Sequence, residues 1–367
     1  MTYTEDDYRY MARAIQLAKT PLVNPHPNPR VGCIIVQDNK IVAEGYHESA
    51  GKPHAEINAL RQCAIALENA TMYVTLEPCC HIGRTGACTE AVIASKVSKV
   101  IIAMLDPNPK MRGNGIKKLE TAGTSVFSGL LEDQAKQLNK GFVKRMQENK
   151  PWVQLKIAAS IDGCTAMSSG ESQWITGESA RKDVQKMRAS CDAILTGSGT
   201  VISDDPRLTV RLSEYKDIAK QPLRIVIDSQ SKLDNQYQIF NEDGNVLLAT
   251  LPTDNNLEFK SNVEVKTFPI NQGKIDLEAL FTELAKREIN HVLVESGEKL
   301  NGALLMAGLV DEIVVYVASS IMGSQTKRMF ETSMLNQMND KISLQLEDFR
   351  KVGNDLRLTY IPKMDVH

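Results

Sequence analysis

Apolar residues follow helical and strand periods in turn along the first 150 positions. Residues 5–19 have apolar positions at helical spacing, and 31–36 and 41–46 form a strand pair around a turn at 38–40. A loop with four prolines in eleven residues separates that helix from the strands. The same pattern predicts further helices over 52–66, 89–95, 115–123 and 131–150, and strands over 71–76 and 98–105. The order β-β-α-β-α-β implies a mixed sheet flanked by helices.

A second α/β pattern begins after Pro151, which follows a charged and polar helix end. Residues 152–158 alternate, with Val153, Leu155 and Ile157 on one face and Lys156 on the other. Further strands are predicted over 192–197, 223–229, 245–251, 291–296 and 311–318, with helices over 178–189, 276–288 and 299–307. We therefore expect two α/β domains, 1–148 and 151–367.

Composition narrows the class of protein. With 367 residues, 42% of them apolar, and a net charge of −2, the chain offers no electrostatic case for binding a nucleic acid. No stretch approaches the ~18 apolar residues of a membrane span, and the acidic N-terminus does not have the pattern of a signal peptide. Seven scattered cysteines favour reduced thiols, so we expect a cytoplasmic protein without membrane association.

Four residues point to zinc chemistry. His54, Cys79 and Cys88 can supply three of the four tetrahedral positions around one Zn²⁺, and a catalytic zinc keeps its fourth position open. Glu56, two residues from the histidine, is placed to move protons, as in nucleobase deaminases. The alternative is a closed structural site in which Cys80 or His81 is the fourth ligand.

The second domain has two glycine-containing loops after predicted strands. These are 197–200 and 296–297, the latter followed by a helix with Gly302. Such loops let backbone amides approach phosphate, which favours a nucleotide cofactor, although plain turns have the same pattern. Arg188 and Arg211 are candidates for binding phosphate, and solvation at the surface is the alternative.

Taken together, eight motifs make the chain resemble the bifunctional riboflavin-biosynthesis family, in which a pyrimidine deaminase is fused to a pyrimidine reductase. They are NPRVG (28–32), HAE (54–56), EPC…GRT…C (77–88), DPNP (106–109), LKIAASIDG (155–163), SGESQWIT (169–176), DDPRLTVR (204–211) and VESG (294–297). The resemblance implies a cytidine-deaminase-like domain with one Zn²⁺ and a dihydrofolate-reductase-like domain with NADPH. It also implies the substrate 2,5-diamino-6-(5-phosphoribosylamino)pyrimidin-4(3H)-one, which is deaminated and then reduced from ribosyl to ribityl, and a homodimer.

The resemblance also implies site residues. For the deaminase substrate they are Asn28, His47, Arg84, Asp106 and Asn108. For the reductase substrate they are Ser172, Arg188, Leu208, Arg211 and Glu295, to which we add Lys156 from the polar face of its strand. For NADPH they are Ala158, Trp174, Thr200, Asp204, Ser229, Gly297, Glu298, Lys299, Leu300, Asn301, Gly302 and Ala303.

One segment departs from the family pattern, and two other classes of protein share part of the motif set. Ile82, Gly86 and Ala87 stand where the family has a histidine or tyrosine and two prolines. A deaminase acting on RNA would share the zinc motif, but it would leave residues 152–367 without a role. A binding or scaffold protein with a structural zinc is the other alternative.

Overall fold

The computed structural model describes residues 2–20, 25–81, 86–215, 220–252 and 258–363. The chain divides into two compact units, Met1–Asn149 and Lys150–His367. In the described residues, no helix combines the length and the apolar character that crossing a membrane requires.

The first unit is a five-stranded sheet with helices on both faces. The strand order is β2-β1-β3-β4-β5, in which β1 is antiparallel to β2 and β3 while β3, β4 and β5 are parallel. Its elements are α1 (Glu5–Ala18), β1 (Gly32–Gln37), β2 (Lys40–Tyr46), α2 (Ala55–Leu60), β3 (Thr71–Leu76), α3 (Cys88–Ala94), β4 (Lys99–Met104), α4 (Asn114–Thr121), β5 (Ser125–Ser128), α5 (Glu132–Leu138) and α6 (Lys140–Glu148).

Strand β1 shows why this sheet needs helices on both faces. Ile34 packs with Met11 of α1 in one apolar cluster, and Cys33 and Ile35 pack with Ala59 of α2 in another. All five side chains are buried. A strand with apolar side chains on both faces is stable only between two layers.

Of the predicted helices, one is shorter than the apolar spacing indicated and another is broken in two. The helix predicted over 52–66 covers only Ala55–Leu60, with His54 in extended conformation as its N-cap. Ala66 is exposed and Cys63 is only half-buried, so continuing the helix would bury little apolar surface. The helix predicted over 131–150 breaks at Asn139, whose buried side chain pairs with both backbone groups of Arg30.

The second unit is built on a nine-stranded sheet. The order is β11-β10-β9-β8-β14-β6-β15-β18-β17, parallel from β11 to β15 and antiparallel from there to β17. Its elements are β6 (Trp152–Ser160), β7 (Cys164–Ala166), α7 (Glu178–Ser190), β8 (Ala193–Gly197), α8 (Ser198–Asp204), β9 (Leu223–Asp228), α9 (Gln238–Asn241), β10 (Val246–Thr250), β11 (Val263–Thr267), β12 (Ile270–Asn271), β13 (Lys274–Ile275), α10 (Leu277–Lys286), β14 (His291–Val294), α11 (Glu298–Met306), β15 (Glu312–Ala318), β16 (Lys327–Arg328), β17 (Ser343–Val352) and β18 (Asp355–Lys363).

The carboxyl ends of the parallel strands lie at one edge of this sheet. Gly197 ends β8, Ser229 follows β9 and Glu295 follows β14. Crevices at this edge are where ligands bind in α/β sheets. The topology therefore places the polar residues predicted for the second domain at the edge where a site forms.

The C-terminal hairpin of β17 and β18 has no counterpart in the elements predicted from sequence. Strand β17 lies at the edge of the sheet, and its inner eight residues are exposed, including Leu346 at 49% and Phe349 at 68%. Because neither face of β17 is covered within the unit, its residues show no simple apolar alternation from which a strand could be predicted.

Candidate functional site

The three predicted zinc ligands come together in the first unit. His54 is the N-cap of α2, Cys79 follows β3 after a single Glu-Pro pair, and Cys88 is the first residue of α3. The His54 Nδ1 atom lies 3.1 Å from the Cys88 Sγ atom and 3.6 Å from the Cys79 Sγ atom. Three elements that begin or end at one edge of the sheet thus converge on a single point.

This donor set fits a zinc ion. One imidazole nitrogen and two sulfurs lie within 4.8 Å of one another. Ligands of a tetrahedral zinc stand about 3.5 to 3.8 Å apart when each bond has its usual length, so the donors need only small shifts. Among the described residues, Cys80 and His81 are not part of this cluster. The geometry therefore favours three protein ligands with a fourth position left for water.

The protonation of the two cysteine thiols is also suited to binding zinc. Hydrogen bonds from Cys88 and His54 lower the pKa of the Cys79 thiol, which favours its thiolate form. The contact with Cys79, together with burial, raises the pKa of Cys88. Zinc binding would release these protons to solvent, because only the thiolate form of cysteine coordinates the metal.

Glu56 lies next to the ligands but is not one of them. It sits in the first turn of α2, and only 3% of its surface is exposed. Burial raises its pKa to about 7, and the negative charge at Cys79 also favours the protonated form. A carboxyl group with a pKa near neutrality can both accept and return a proton.

Asn28 and His47 lie on one side of this cluster and hydrogen bond to each other. The His47 Nδ1 atom is 3.2 Å from the Pro53 carbonyl oxygen, so it carries the proton. The Nε2 atom then accepts from the Asn28 amide at 3.0 Å. Burial lowers the pKa of His47, which keeps it neutral, and its ring meets that of His54 edge-on at 5.3 Å. This chain of contacts orients the Asn28 side chain beside the ligands.

Asp106 and Asn108 form a turn after β4. The backbone N–H of Asn108 donates a hydrogen bond to the Asp106 carboxylate at 2.8 Å. Burial raises the pKa of Asp106, and the nearby charges of Glu77 and Cys79 raise it further. Both residues therefore belong to the surroundings of the zinc cluster. Arg84, the predicted phosphate ligand, lies outside the described residues, as does Ile82.

Glu77 was not singled out by the sequence analysis, although it lies at the end of a buried strand. Only 5% of this residue is exposed, and its carboxylate accepts hydrogen bonds from the backbone of residues 106–116. The signal available in the sequence was an acidic residue directly after the predicted buried strand 71–76, a place where an unpaired charge is costly.

The second unit has a buried ion pair at its carboxyl edge. Arg188 donates to both carboxylate oxygens of Glu295, at 2.6 and 3.1 Å, and the Lys156 Nζ atom lies 3.6 Å from the same carboxylate. Burial by itself would raise the pKa of Glu295, but the charges of Arg188 and Lys156 outweigh it and lower the pKa to about 2. The structure thus joins three residues predicted separately to bind the reductase substrate.

Arg211 lies near this pair, and in the structure it forms no ion pair with a described carboxylate. Its backbone N–H donates to Gln185 of α7 at 2.8 Å, and its Nη1 atom is 3.5 Å from the Thr209 hydroxyl. Burial and the charges of Arg188 and Arg207 lower its pKa. Because its positive charge is uncompensated by a close carboxylate, Arg211 is suited to bind a phosphate.

Leu208 and Ser172 complete the predicted substrate set. Leu208 is buried and has a left-handed φ of 49°. Ser172 donates a hydrogen bond to Asp204 at 2.9 Å. This bond links a residue predicted to bind the substrate to one predicted to bind the cofactor.

Most of the residues predicted to bind NADPH lie at the same edge of the sheet. Ala158 is on β6, Thr200 is on α8, Ser229 follows β9, and Gly297 is the N-cap of α11. A Cβ atom added at Gly199 would meet nothing within 4 Å, and α11 has no side-chain cap for its first N–H groups. Open space beside uncapped amides fits the phosphates of a dinucleotide.

The residues 297–303, all predicted to bind NADPH, differ in their surroundings. Asn301 is buried and donates to the Met329 carbonyl, and a Cβ added at Gly302 would lie 1.8 Å from the Glu331 carbonyl oxygen. Glu298 accepts from the Arg328 N–H. These side-chain positions pack against residues 328–331. Trp174, by contrast, is 71% exposed, with the Arg181 guanidinium 4.6 Å from its ring centre.

Comparison with known proteins accounts for both units. The family model "Cytidine and deoxycytidylate deaminase zinc-binding region" matches residues 4–104, and "RibD C-terminal domain" matches residues 151–358. The second match covers most of residues 152–367, to which a deaminase acting on RNA would give no role, and so it argues against that alternative. The predicted fold class, a cytidine-deaminase-like domain followed by a dihydrofolate-reductase-like domain, is confirmed.

Relatives match over nearly the full length. The riboflavin biosynthesis protein RibD of Escherichia coli (strain K12) is 46% identical over 363 residues, which are 96% of this chain and 98% of that protein. The structure of Acinetobacter baumannii RibD, form 1, is 40% identical with a TM-score of 0.91, covering 98% of this chain and 99% of that one. The structure of a diaminohydroxyphosphoribosylaminopyrimidine deaminase/5-amino-6-(5-phosphoribosylamino)uracil reductase from Thermotoga maritima is 33% identical with a TM-score of 0.87, again covering 98% and 99%. This chain therefore belongs to the RibD family of riboflavin biosynthesis proteins.

Proposed function

We propose that this chain catalyses two successive reactions of riboflavin biosynthesis, with the residues of each site in the roles given below. Membership of the RibD family makes it a bifunctional deaminase and reductase with zinc and NADPH as cofactors. The observation that carries the deaminase assignment is the His54, Cys79 and Cys88 donor set with a buried Glu56 beside it. The assigned boundaries are 1–148 for the deaminase and 151–367 for the reductase.

The substrate proposed for the first reaction is 2,5-diamino-6-(5-phosphoribosylamino)pyrimidin-4(3H)-one. The name of the Thermotoga maritima protein supports this choice, since it describes both a deaminase and a reductase of such pyrimidines. Water replaces one ring amino group, and ammonia leaves. The second reaction reduces the ribosyl group to ribityl and gives 5-amino-6-(5-phosphoribitylamino)uracil.

In the deaminase, zinc bound by His54, Cys79 and Cys88 supplies a Lewis acid that makes water nucleophilic at neutral pH. Glu56 accepts the proton from the attacking water on a carboxylate oxygen and passes it to the ring nitrogen. It then assists the departure of ammonia by moving a second proton to the amino group. Its buried position beside the zinc ligands suits it to both transfers. Asn28 and His47 orient the pyrimidine through the Asn28 amide.

In the reductase, NADPH supplies the hydride, and the protein supplies orientation and charge. The ribosyl ring opens as the C1′–O4′ bond breaks: the ring oxygen takes up a proton and the nitrogen gives one up, so that the C1′–N bond becomes an imine. The imine then accepts hydride at C1′ and a proton at nitrogen. Arg211 binds the substrate phosphate, because its charge is not compensated by a close carboxylate. Arg188 and Lys156 hold the Glu295 carboxylate, which accepts hydrogen bonds from the ribose hydroxyl groups.

The partner proposed for the second unit is another copy of this chain. Strand β17 exposes Leu344, Leu346 and Phe349 at the edge of the sheet, with 40%, 49% and 68% of their surfaces accessible. Exposed apolar side chains on an unpaired edge favour association.

We further propose that the protein works in the cytoplasm, where its seven cysteines, none of them in a disulfide, remain reduced.

The test is a single assay of both reactions. The purified zinc-loaded protein is given the diaminopyrimidinone ribosyl phosphate and NADPH, and ammonia and NADPH oxidation are followed in the same tube. Equal amounts of ammonia released and NADPH consumed are expected. Ammonia without NADPH oxidation would contradict the reductase assignment, and neither product would contradict the proposed substrate.

A further inference from the structure

Glu77 is a buried carboxylate that neither reaction uses directly. It stands between strand β3 and the Pro78-Cys79 pair, so its backbone is continuous with a zinc ligand. Its N–H donates to the Met104 carbonyl at the end of β4. Only 5% of the residue is exposed. A buried carboxylate is kept only where hydrogen bonds compensate for the loss of water.

The compensating bonds all come from the backbone of one segment, residues 106–116. The Glu77 Oε2 atom accepts from the N–H of Asp106 at 3.1 Å and of Gly113 at 2.9 Å. The Oε1 atom accepts from the N–H of Gly115 at 2.9 Å and of Ile116 at 3.4 Å. One side chain therefore holds both ends of the loop that joins β4 to α4.

The second end of this loop depends on Glu77 for its helix cap. Gly113, the N-cap of α4, has a left-handed φ of 79° and no side chain, and α4 has no side-chain cap of its own. The Glu77 carboxylate satisfies these first N–H groups from outside the helix, where a negative charge is favoured by the helix dipole. A Cβ at Gly115 would lie 2.3 Å from the Pro78 carbonyl oxygen, so α4 packs directly on the metal-binding segment.

The first end carries the predicted pocket residues. Asp106, whose N–H is bound by Glu77, accepts from the Asn108 N–H, and Asn108 in turn accepts from the N–H of Lys110. The three bonds form a chain, because the residue that donates its N–H in one bond accepts with its side chain in the next. Moving the Asp106 backbone would therefore displace both side chains relative to the zinc ligands.

We propose that Glu77 is a positioning residue of the deaminase site, which sets the distance between the zinc-binding segment and the pocket residues Asp106 and Asn108. The proposal rests on the proposed deaminase function. Glu77 is not part of the zinc donor set, and its carboxylate acts through the backbone of 106–116. Its loss should weaken substrate binding more than the chemical step, because the zinc ligands and Glu56 keep their own supports.

The test compares Glu77→Gln with Glu90→Gln, a matched control. Glutamine keeps the size of the side chain but places an NH₂ group against two N–H donors. Glu90 of α3 pairs at the surface with Lys118 of α4, so its change also removes an acidic contact to α4 without reaching the pocket. Zinc content, the KM and kcat of ammonia release, and hydrogen exchange of residues 106–116 are measured for each zinc-loaded protein.

For Glu77→Gln we expect bound zinc close to wild type, a KM raised at least fivefold, a kcat within about threefold of wild type, and faster exchange over 106–116. Glu90→Gln should match the wild type in all four readouts. An unchanged KM in zinc-loaded Glu77→Gln would overturn the proposal. So would a loss of zinc with normal KM in the remaining holoenzyme, since that would limit Glu77 to holding Cys79.

If Glu77→Gln does not fold, Glu77→Asp decides the matter. Aspartate keeps the charge but is one methylene shorter, so it reaches fewer of the four backbone N–H groups. We therefore expect its KM to lie above that of the wild type but less than fivefold above it. An unchanged KM in this variant overturns the proposal. A wild-type protein that releases no ammonia would instead contradict the proposed function, so the two failures are distinguishable.

Discussion

Arg188 and Glu295 form a two-pronged ion pair across 107 positions of sequence, with N–O distances of 2.6 and 3.1 Å. Their side chains are only 11% and 10% exposed. Arg188 comes from the last turn of α7, and Glu295 follows β14. Such a buried pair is costly to break from one side, because the remaining charge has no partner.

Glu295→Gln should therefore destabilise the protein at pH 7 by about 3 to 5 kcal/mol. Urea unfolding of the variant and the wild type measures the difference. Glu178→Gln is the control, since Glu178 forms an exposed pair with Lys182 in α7 and its loss should change little. Equal destabilisation by both changes would show that the buried pair does not differ from a surface one.

The buried ion pair should also make the stability of the protein depend on pH. The folded-state pKa of Glu295 is about 2, against an ordinary value of 4.5, so its charge stabilises the fold above pH 4.5. That contribution, about 3 kcal/mol, should be lost as the pH falls from 4.5 toward 2. Unfolding free energies of wild type and Glu295→Gln measured over this range should converge, and parallel curves would contradict the assignment.

Glu56→Gln should bind zinc and yet release ammonia at least ~100-fold more slowly, because glutamine cannot accept the proton of water. NADPH oxidation with the deaminated pyrimidine as substrate should be unchanged. Glu68→Gln, an exposed acidic residue of the same unit, is the control. Normal ammonia release by Glu56→Gln would remove Glu56 from its proposed role.

Cys88→Ser should lower the zinc content, since the hydroxyl is a poorer ligand than the thiolate that it replaces. Cys80→Ser should leave zinc at the wild-type level, because Cys80 lies outside the donor cluster. Elemental analysis of the two purified variants gives the comparison. Full zinc in Cys88→Ser together with loss in Cys80→Ser would assign the third position to Cys80.

Arg211→Ala should raise the KM of the reductase reaction about 10- to 100-fold, the effect of losing one or two charge-assisted hydrogen bonds to a phosphate. Ammonia release should be unaffected. Arg207→Ala removes a nearby exposed arginine that is already paired with Glu242, and it should leave KM near the wild-type value. If both variants lost the same affinity, the effect would come from general charge and not from a phosphate site.

Phe349→Arg should reduce the mass in solution from dimer to monomer, because it places a charge on the exposed edge strand β17. Light scattering during gel filtration measures the mass. Ile65→Arg makes the same change at a residue of the first unit that is 52% exposed, and it should not alter the mass. A monomeric wild type would refute the proposed partner.

Several buried strands were accessible from the sequence because a buried strand has a local apolar signature, whereas their order within each sheet was not. Residues 71–76 and 152–158 were predicted as strands, and the structure has β3 at Thr71–Leu76 and β6 at Trp152–Ser160. The helix ends were less accessible. The break at Asn139 depends on its pairing with Arg30, 109 residues away, which no local pattern contains.

Residue types and short spacings determined which chemistry this chain can support: one imidazole and two thiols for zinc, a carboxylate beside them, and arginines in the second unit. Only the tertiary structure decided that the His54 Nδ1 atom meets both sulfurs, that Glu77 holds residues 106–116, and that Arg188 meets Glu295 while Arg211 forms no ion pair with a described carboxylate. The reason is physical. Strand and helix periods are set by neighbours in sequence. Which ligands meet at one zinc site and which partner a buried charge finds are set by the packing of distant segments, which must leave no buried charge without hydrogen bonds.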